Sequence, residues 1–311
     1  MMAKIVAYGE LLWDLLPSGK VLGGAPANFI FRINTFGDEG VLITRLGNDE
    51  PGKKAREAVI AIGLSDEHIQ TDYEFPTGTV NVKIDAKGSP EFTIIRDVAY
   101  DHIELSSEMT EQVRQADCLY FGSLIQRYGI SKNTLRELVK ESGNAIKFLD
   151  INLRKDCYTR ETIRESLATA NILKINDEEL FQVKLLTGLY CNDIRNMAGE
   201  LVSRFGIDLV LVTLGAKGAF LISRNNDMCY SAGHKVKLVD TVGSGDAFSA
   251  GFIHSYLSGE NLQASLDFGN ASGALAATTK GATVPFSKTD VLNFMEQSHE
   301  RVTHELFVSF Q

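Results

Sequence analysis

Apolar and polar positions alternate between two kinds of pattern along the 311-residue chain. Short apolar runs rich in β-branched residues predict buried strands, and the amphipathic stretches between them predict helices. Strands are predicted at residues 4–9, 41–47, 117–123, 145–151, 172–176, 209–215 and 218–223. Helices are predicted at residues 26–36, 51–62, 131–142, 161–169 and 192–204, and through almost all of 243–298. This alternation indicates an α/β fold with three layers around a mostly parallel sheet.

One region departs from this rhythm. Residues 77–97 alternate apolar and polar on both sides of the turn-forming segment AKGSP (86–90), which predicts a hairpin. Such alternation is typical of a sheet with one covered face. We therefore predict a single domain, residues 1–311, with a small β-strand lid formed from about 11–21 and 77–97. An edge hairpin of the main sheet is the alternative.

Composition and charge limit the classes of function. Hydrophobic residues make up 44% and charged residues 23% of the chain, as in proteins with a buried core. The formal net charge of −9, without a basic stripe, argues against a nucleic-acid partner. No apolar run reaches the ~20 residues of a membrane helix. The four cysteines form no CxxC pair and the N-terminus lacks a signal-peptide pattern, so we expect a cytoplasmic protein.

Two of three glycine-rich stretches are poor phosphate-binding candidates. GNDEPGKK (47–54) nearly matches the P-loop, but a lysine stands where a hydroxyl would bind magnesium, and a proline removes an amide. It is better interpreted as a strand-to-helix turn. TLGAKGAF (213–220) joins two predicted strands, which favours a hairpin turn over a dinucleotide fingerprint.

The third stretch, DTVGSGDAFSAGF (240–252), opens a helix of small and apolar residues. Its glycines allow a tight turn, and the N–H groups at the start of the helix would form an anion site. Asp246 lies in the first helical turn. It either complements the helix dipole as a cap, or takes a proton from a hydroxyl that attacks a bound phosphate. This stretch alone leaves both interpretations open.

A second motif, GGAPANFIFRINTFG (23–37), places two glycines before an asparagine on a predicted helix. With the stretch at 240–252, and in this order, it resembles the two signatures of the ribokinase-like (PfkB) carbohydrate kinases. TLGAKG, DFGNASGA (267–274) and KGA (280–282) fall where that family keeps its nucleotide-side elements. The resemblance covers essentially the whole chain and implies an ATP-dependent sugar kinase that uses Mg²⁺.

The resemblance also implies roles for individual residues. Asp246 would be the catalytic base, and the anion-hole amides would come from Gly243, Ser244 and Gly245. Residues that would bind the sugar are Asp14, Gly23, Gly24 and Asn28, with Arg154 as a further phosphate or substrate contact. Residues that would line the nucleotide are Thr213, Gly215, Gly218 and Asn270. Mg²⁺ would be organised through water by Asn176 and Glu179, and a monovalent cation such as K⁺ by Asp240 and Thr241.

The resemblance further suggests a substrate. GELLWD (9–14), PTGTVNVKID (76–85) and AYDHI (99–103) look most like bacterial fructokinases, which implies phosphorylation of fructose to fructose 6-phosphate. Many of these have tryptophan where Tyr100 stands, so a 2-keto-3-deoxygluconate kinase, or another ketose or ribose kinase, is the alternative.

The sequence also bears on two other functional classes and on the oligomeric state. A nucleotide-dependent oxidoreductase is disfavoured because GxGxxG does not follow the first strand. A non-catalytic sugar sensor on the same fold would be expected to lose the base or an anion-hole glycine, and both are present. An exposed apolar face on the hairpin lid would favour a homodimer.

Overall fold

A computed structural model describes residues 2–16, 19–84, 90–297 and 300–310. Its strands are β1 (Lys4–Tyr8), β2 (Leu12–Leu16), β3 (Gly19–Gly23), β4 (Glu39–Gly47), β5 (Ile69–Asp72), β6 (Gly78–Ile84), β7 (Pro90–Ile94), β8 (Cys118–Gly122), β9 (Ile146–Asp150), β10 (Ile172–Asn176), β11 (Leu209–Thr213), β12 (Ala219–Ser223), β13 (Met228–Ser231), β14 (Gly233–His234) and β15 (Arg301–Val302). Its α-helices are α1 (Ala25–Phe36), α2 (Glu50–Ala61), α3 (Ser107–Arg114), α4 (Gly129–Glu141), α5 (Arg160–Thr169), α6 (Asp177–Thr187), α7 (Ile194–Phe205), α8 (Ser244–Leu257), α9 (Leu262–Ala276) and α10 (Lys288–Glu296).

Within the described residues, the main sheet has nine strands in the order β13–β12–β11–β10–β9–β8–β1–β4–β5. Neighbouring strands are parallel, except that β12 runs antiparallel to both β11 and β13. Strand β1 lies between β4 and β8, so the direction in which the chain adds strands reverses there. The carboxyl ends of β1 and β8 therefore flank the crevice in which open α/β sheets bind ligands.

Helices cover both faces of this sheet. Because successive strand residues point to opposite faces, Val6 and Leu149 lie in one core and Ile5 and Phe148 in the other. The first core is closed by residues of α3, α4, α5, α6 and α7, and the second by residues of α1, α2, α8, α9 and α10. The predicted three-layer α/β fold is confirmed. No helix in the described ranges is both long enough and apolar enough to cross a membrane.

A second sheet has four strands in the order β3–β2–β6–β7. Strands β6 and β7 pair antiparallel and form the hairpin predicted at 77–97, although residues 86–89 of its AKGSP turn lie outside the described residues. The hairpin joins β2 through a parallel ladder. It does not extend the main sheet, so the edge-hairpin alternative is wrong. That this sheet acts as a lid remains a prediction.

Candidate active site

The two motifs of the sequence meet at the carboxyl edge of the main sheet, where α1 packs against α8. Asn28 on α1 donates a hydrogen bond from Nδ2 to Oδ2 of Asp246, in the first turn of α8, at 2.8 Å. The pKa of Asp246 is raised to about 6, chiefly by burial and also by Asp150. Asn28, Lys174 and Arg154 oppose this shift. An acid with a pKa this close to neutrality can accept a proton in a reaction near pH 7.

The turn before Asp246 has a backbone that only glycine adopts easily. Gly243 is the N-cap of α8 with φ 78°, and a Cβ there would lie 2.4 Å from the Cβ of Ala282. Among the described residues no side chain caps this helix, so its first N–H groups could bind a ligand. The amide of Ser244, however, donates to the carbonyl of Thr241 at 3.2 Å. The predicted anion hole thus depends on the other amides of the turn.

Behind this turn lies a buried ion pair that the sequence analysis missed. Lys174 of β10 is 8% exposed, and its Nζ lies 3.1 Å from Oδ1 of Asp150, at the end of β9. The other carboxylate oxygen of Asp150 accepts hydrogen bonds from Ser249 at 2.9 Å and Tyr120 at 3.3 Å. A Cβ on Gly245 would lie 3.1 Å from the Lys174 ammonium. A positive charge therefore lies directly beneath the predicted anion hole.

The electrostatic surroundings keep this lysine charged. Burial by itself lowers the pKa of Lys174, but Asp150, Glu179 and Asp246 together raise it above its ordinary value. A protonated amine here would stabilise negative charge on a phosphoryl group held by the turn. In the sequence this site is marked only by a lysine within the mostly apolar strand ILKIN, where a buried charge would require a partner that the sequence does not identify.

Several predicted sugar contacts lie close to one another or to Asp246. A Cβ on Gly23 would lie 2.4 Å from Oδ2 of Asp14, so that carboxylate lies over the glycine. Gly24 is the N-cap of α1 with φ 126°. Burial raises the pKa of Asp14, and the exposed Arg154 opposes this shift, as it does at Asp246. The arrangement offers carboxylates and a guanidinium to a polyhydroxylated ligand.

Tyr100, whose identity bears on the sugar, is fully buried in the core. Its hydroxyl accepts a hydrogen bond from Arg127 at 2.9 Å, and a Cβ on Gly78 would lie 2.3 Å from its ring. The ring therefore packs beneath the start of β6, and the hydroxyl is already engaged.

The predicted nucleotide residues surround the turn between β11 and β12. The turn is a short 3₁₀-helix, Gly215–Lys217, joining two antiparallel strands, as the hairpin interpretation predicted, and Thr213 ends the strand before it. Gly218 has φ 89°, and a Cβ there would overlap the carbonyl of Ser231. Asn270 donates from Nδ2 to Oγ of Ser231 at 3.0 Å and to the next carbonyl at 2.8 Å. Gly218 and Asn270 thus hold one segment in place, and their contact with a nucleotide remains a prediction.

The two residues predicted to organise Mg²⁺ form the N-terminal cap of α6. Oδ1 of Asn176 accepts from the amide of Glu179 at 2.8 Å, and Oε2 of Glu179 accepts from the amide of Asn176 at 3.0 Å. Oε1 of Glu179 accepts from the amide of Leu153 at 2.8 Å. Each carboxylate oxygen keeps a lone pair for a metal-bound water. This fits Mg²⁺, which usually retains several waters.

The candidate cation site at the start of the motif is only partly free. Asp240 accepts from the amides of Val242 and Gly281, each at 3.0 Å. The carbonyl of Thr241 accepts from both the amide and the hydroxyl of Ser244. Both lone pairs of that carbonyl are therefore engaged, and the monovalent cation prediction depends on the carboxylate of Asp240.

The near P-loop at 47–54 is an ordinary strand-to-helix turn, as predicted. Oδ1 of Asp49 accepts hydrogen bonds from the amide of Gly52 at 2.8 Å and from Oγ1 of Thr77 at 2.6 Å. Its own carboxylate thus occupies the start of α2, where a phosphate would otherwise bind.

A mostly parallel sheet that places an acid, a helix N-terminus and a buried ammonium at its carboxyl edge is suited to phosphoryl transfer onto a hydroxyl. The family profile described as pfkB family carbohydrate kinase matches residues 6–289 of this chain. The chain therefore belongs to that family, and it is a phosphotransferase with a sugar acceptor. Family membership excludes the oxidoreductase.

Individual relatives span nearly the whole chain. It is 28% identical to a fructokinase from Vibrio alginolyticus, over 95% of this chain and 100% of the relative. It is 30% identical to aminoimidazole riboside kinase from Salmonella typhimurium, over 96% of each protein. A crystal structure of a fructokinase mutant from Vibrio cholerae, with fructose, ADP and potassium bound, is similar with a TM-score of 0.79 and 25% identity, covering 95% and 100% of the two chains.

Proposed function

We propose that this enzyme transfers the γ-phosphoryl group of ATP to the primary hydroxyl of fructose, giving fructose 6-phosphate. Relatives named fructokinase and the fructose complex support this choice of sugar. The relative named aminoimidazole riboside kinase is equally similar, which makes a riboside the second candidate. 2-Keto-3-deoxygluconate, another ketose and ribose remain further alternatives.

The observation that carries the proposal is the position of Asp246. The acid lies at the helix N-terminus, bonded to Asn28 and with a pKa of about 6. In the proposed reaction, Asp246 takes the proton of the attacking hydroxyl, and the amides of the 243–246 turn other than that of Ser244 bind the phosphoryl oxygens. Lys174, behind Gly245, offsets the charge that develops on them.

Metal ions would act on the nucleotide side of this reaction. Asn176 and Glu179 would hold Mg²⁺ through water, and the ion would neutralise charge on the phosphate oxygens. Asp240 would contribute to a K⁺ site, in keeping with the potassium named in the Vibrio cholerae complex. Since all four cysteines are free, we place the enzyme in the cytoplasm.

Transfer of label from γ-³²P-ATP to a sugar panel tests the proposal. The panel contains fructose, ribose, aminoimidazole riboside and 2-keto-3-deoxygluconate, and we expect fructose to give the highest kcat/KM. The Asp246→Asn variant should still bind ATP and sugar but lose at least ~10² in kcat, because general-base assistance is removed. Near-normal turnover by this variant would contradict the assigned base. Faster transfer to another member of the panel would replace fructose.

We also infer that the four-stranded sheet mediates a homodimer. Val21 of β3 is 42% exposed, and Leu16 of β2, on the same face of this sheet, is only partly buried. Exposed apolar residues on a small sheet favour association with a second copy through the same surface.

A further inference from the structure

A small cavity opens where the strand order of the main sheet reverses. It has a volume of about 10 Å³ and lies at the carboxyl ends of β1 and β8. Its lining includes Glu10 after β1, Gly122 and Ser123 at the end of β8, and Ala25 and Pro26 at the start of α1. A cavity of this size holds about one water molecule, so it has room for a single hydroxyl group of a ligand.

Glu10, which lines this cavity, has one carboxylate oxygen that is hydrogen-bonded to no described residue. The residue is 5% exposed, and its Oε2 is buried and accepts no hydrogen bond from any described residue. A buried polar atom left unpaired destabilises a fold by ~1–3 kcal/mol, more when it is charged. Such an atom in a ligand crevice points to a partner supplied by the ligand.

The surroundings suit a hydroxyl group as that partner. The pKa of Glu10 is raised to about 7, chiefly by burial and also by Asp246. Its own amide, Arg154 and the amide of Ala25 oppose this shift. Near neutral pH the carboxyl group is therefore present in both protonation states. It can accept a hydrogen bond from a hydroxyl or donate one to it.

We propose that Glu10 is a specificity-determining residue, which forms a hydrogen bond through its buried carboxyl oxygen to a sugar hydroxyl that enters this cavity. The inference rests on the proposed sugar kinase function. The hydroxyl it binds differs from the transferred one, which faces Asp246. A sugar that lacks this second hydroxyl leaves the carboxyl group unpaired and is rejected.

Monodeoxy analogues of the best acceptor in the panel test this role. We expect the wild type to discriminate against one analogue by at least ~10² in kcat/KM. Glu10→Met keeps the volume but removes the polar atoms. With the parent sugar, the kcat/KM of Glu10→Met should fall by about the same factor. With that analogue, its kcat/KM should stay within ~3-fold of the wild-type value. Glu10→Gln, which can still form hydrogen bonds, should lose only ~10-fold, with the parent sugar alone.

The outcomes separate this inference from the function on which it rests. A wild type that phosphorylates no sugar overturns both. A wild type that phosphorylates sugars while both variants keep its discrimination, or lose activity equally with every sugar, overturns only the role of Glu10. If Glu10→Met does not fold, Glu10→Gln decides by the same criteria. Glu39→Gln, at an exposed position of β4, is the matched control and should match wild type.

Discussion

At the scale of single residues, the acid limb of activity is set by the carboxyl group of Asp246. Its pKa is raised to about 6, and only the deprotonated form can accept a proton. kcat/KM should therefore reach its plateau at pH values above this pKa and fall as pH decreases through about 6. Asn28→Ala removes the hydrogen bond that stabilises the carboxylate, so the limb should move to higher pH.

The shift of the acid limb is tested by measuring kcat/KM as a function of pH for wild type and Asn28→Ala. Asn133→Ala, at an exposed position of α4, is the control and should leave the limb in place. If the limb of Asn28→Ala stays at the wild-type pH, the hydrogen bond does not set the pKa of Asp246.

Some residues of the candidate site could be predicted from the sequence and others could not. Asp246 and Asn28 could be predicted because each belongs to a long motif with a defined order. Glu10 and Lys174 could not, because one charged residue beside apolar neighbours does not show whether it is buried or what it contacts. The pairing of Lys174 with Asp150 joins two strands and exists only in the folded sheet.

At the scale of elements, the first turn of α8 depends on the backbone of Gly243. A side chain there would add strain at φ 78° and collide with Ala282. We expect Gly243→Ala to lose at least ~10-fold in kcat/KM, because the amides that hold the phosphoryl group would shift. Left-handed backbone strain should also destabilise the protein by about 1–2 kcal/mol.

Gly259, beyond the other end of α8, provides a matched control. It has φ 89°, and a Cβ there would meet no atom within 4 Å. Gly259→Ala should therefore lose similar stability in thermal unfolding but keep wild-type kcat/KM. Equal loss of activity in both variants would show that the effect is general strain and not the geometry of the turn.

Other elements show why the sequence predicts some and not others. The predicted strand at 172–176 matches β10 because its run is mostly apolar and ends at the cap of the next helix. Helix α6 follows β10 with no loop and has little amphipathic periodicity, so its pattern did not stand out. β5 is only four residues long, too short for a periodic signal.

At the scale of the whole molecule, the main sheet was predictable and the partners of the second sheet were less so. Buried parallel strands are recognisable in the sequence as apolar runs, and their alternation with helices predicts the three layers. The second sheet pairs β2 with β6, which lie far apart in the chain. Local alternation predicts such strands but gives no register between them.

The second sheet also leads to a prediction about assembly. Val21 lies opposite Asp14 in the β2–β3 ladder and is exposed in a single copy of the chain. If this surface forms a symmetric interface, each copy contributes Val21, so Val21→Glu places two charges in one contact. Like charges there should weaken the dimer by at least ~10-fold in Kd.

Sedimentation at several concentrations measures this directly. Wild type should have the mass of a dimer, and Val21→Glu should dissociate at concentrations where wild type does not. Leu185→Glu, on α6 and 75% exposed, adds the same charge elsewhere and should remain dimeric. Because Val21 lies so close to Asp14, mass and not activity is the readout that isolates assembly. A monomeric wild type, or dissociation of Leu185→Glu alone, would show that the sheet is not the interface.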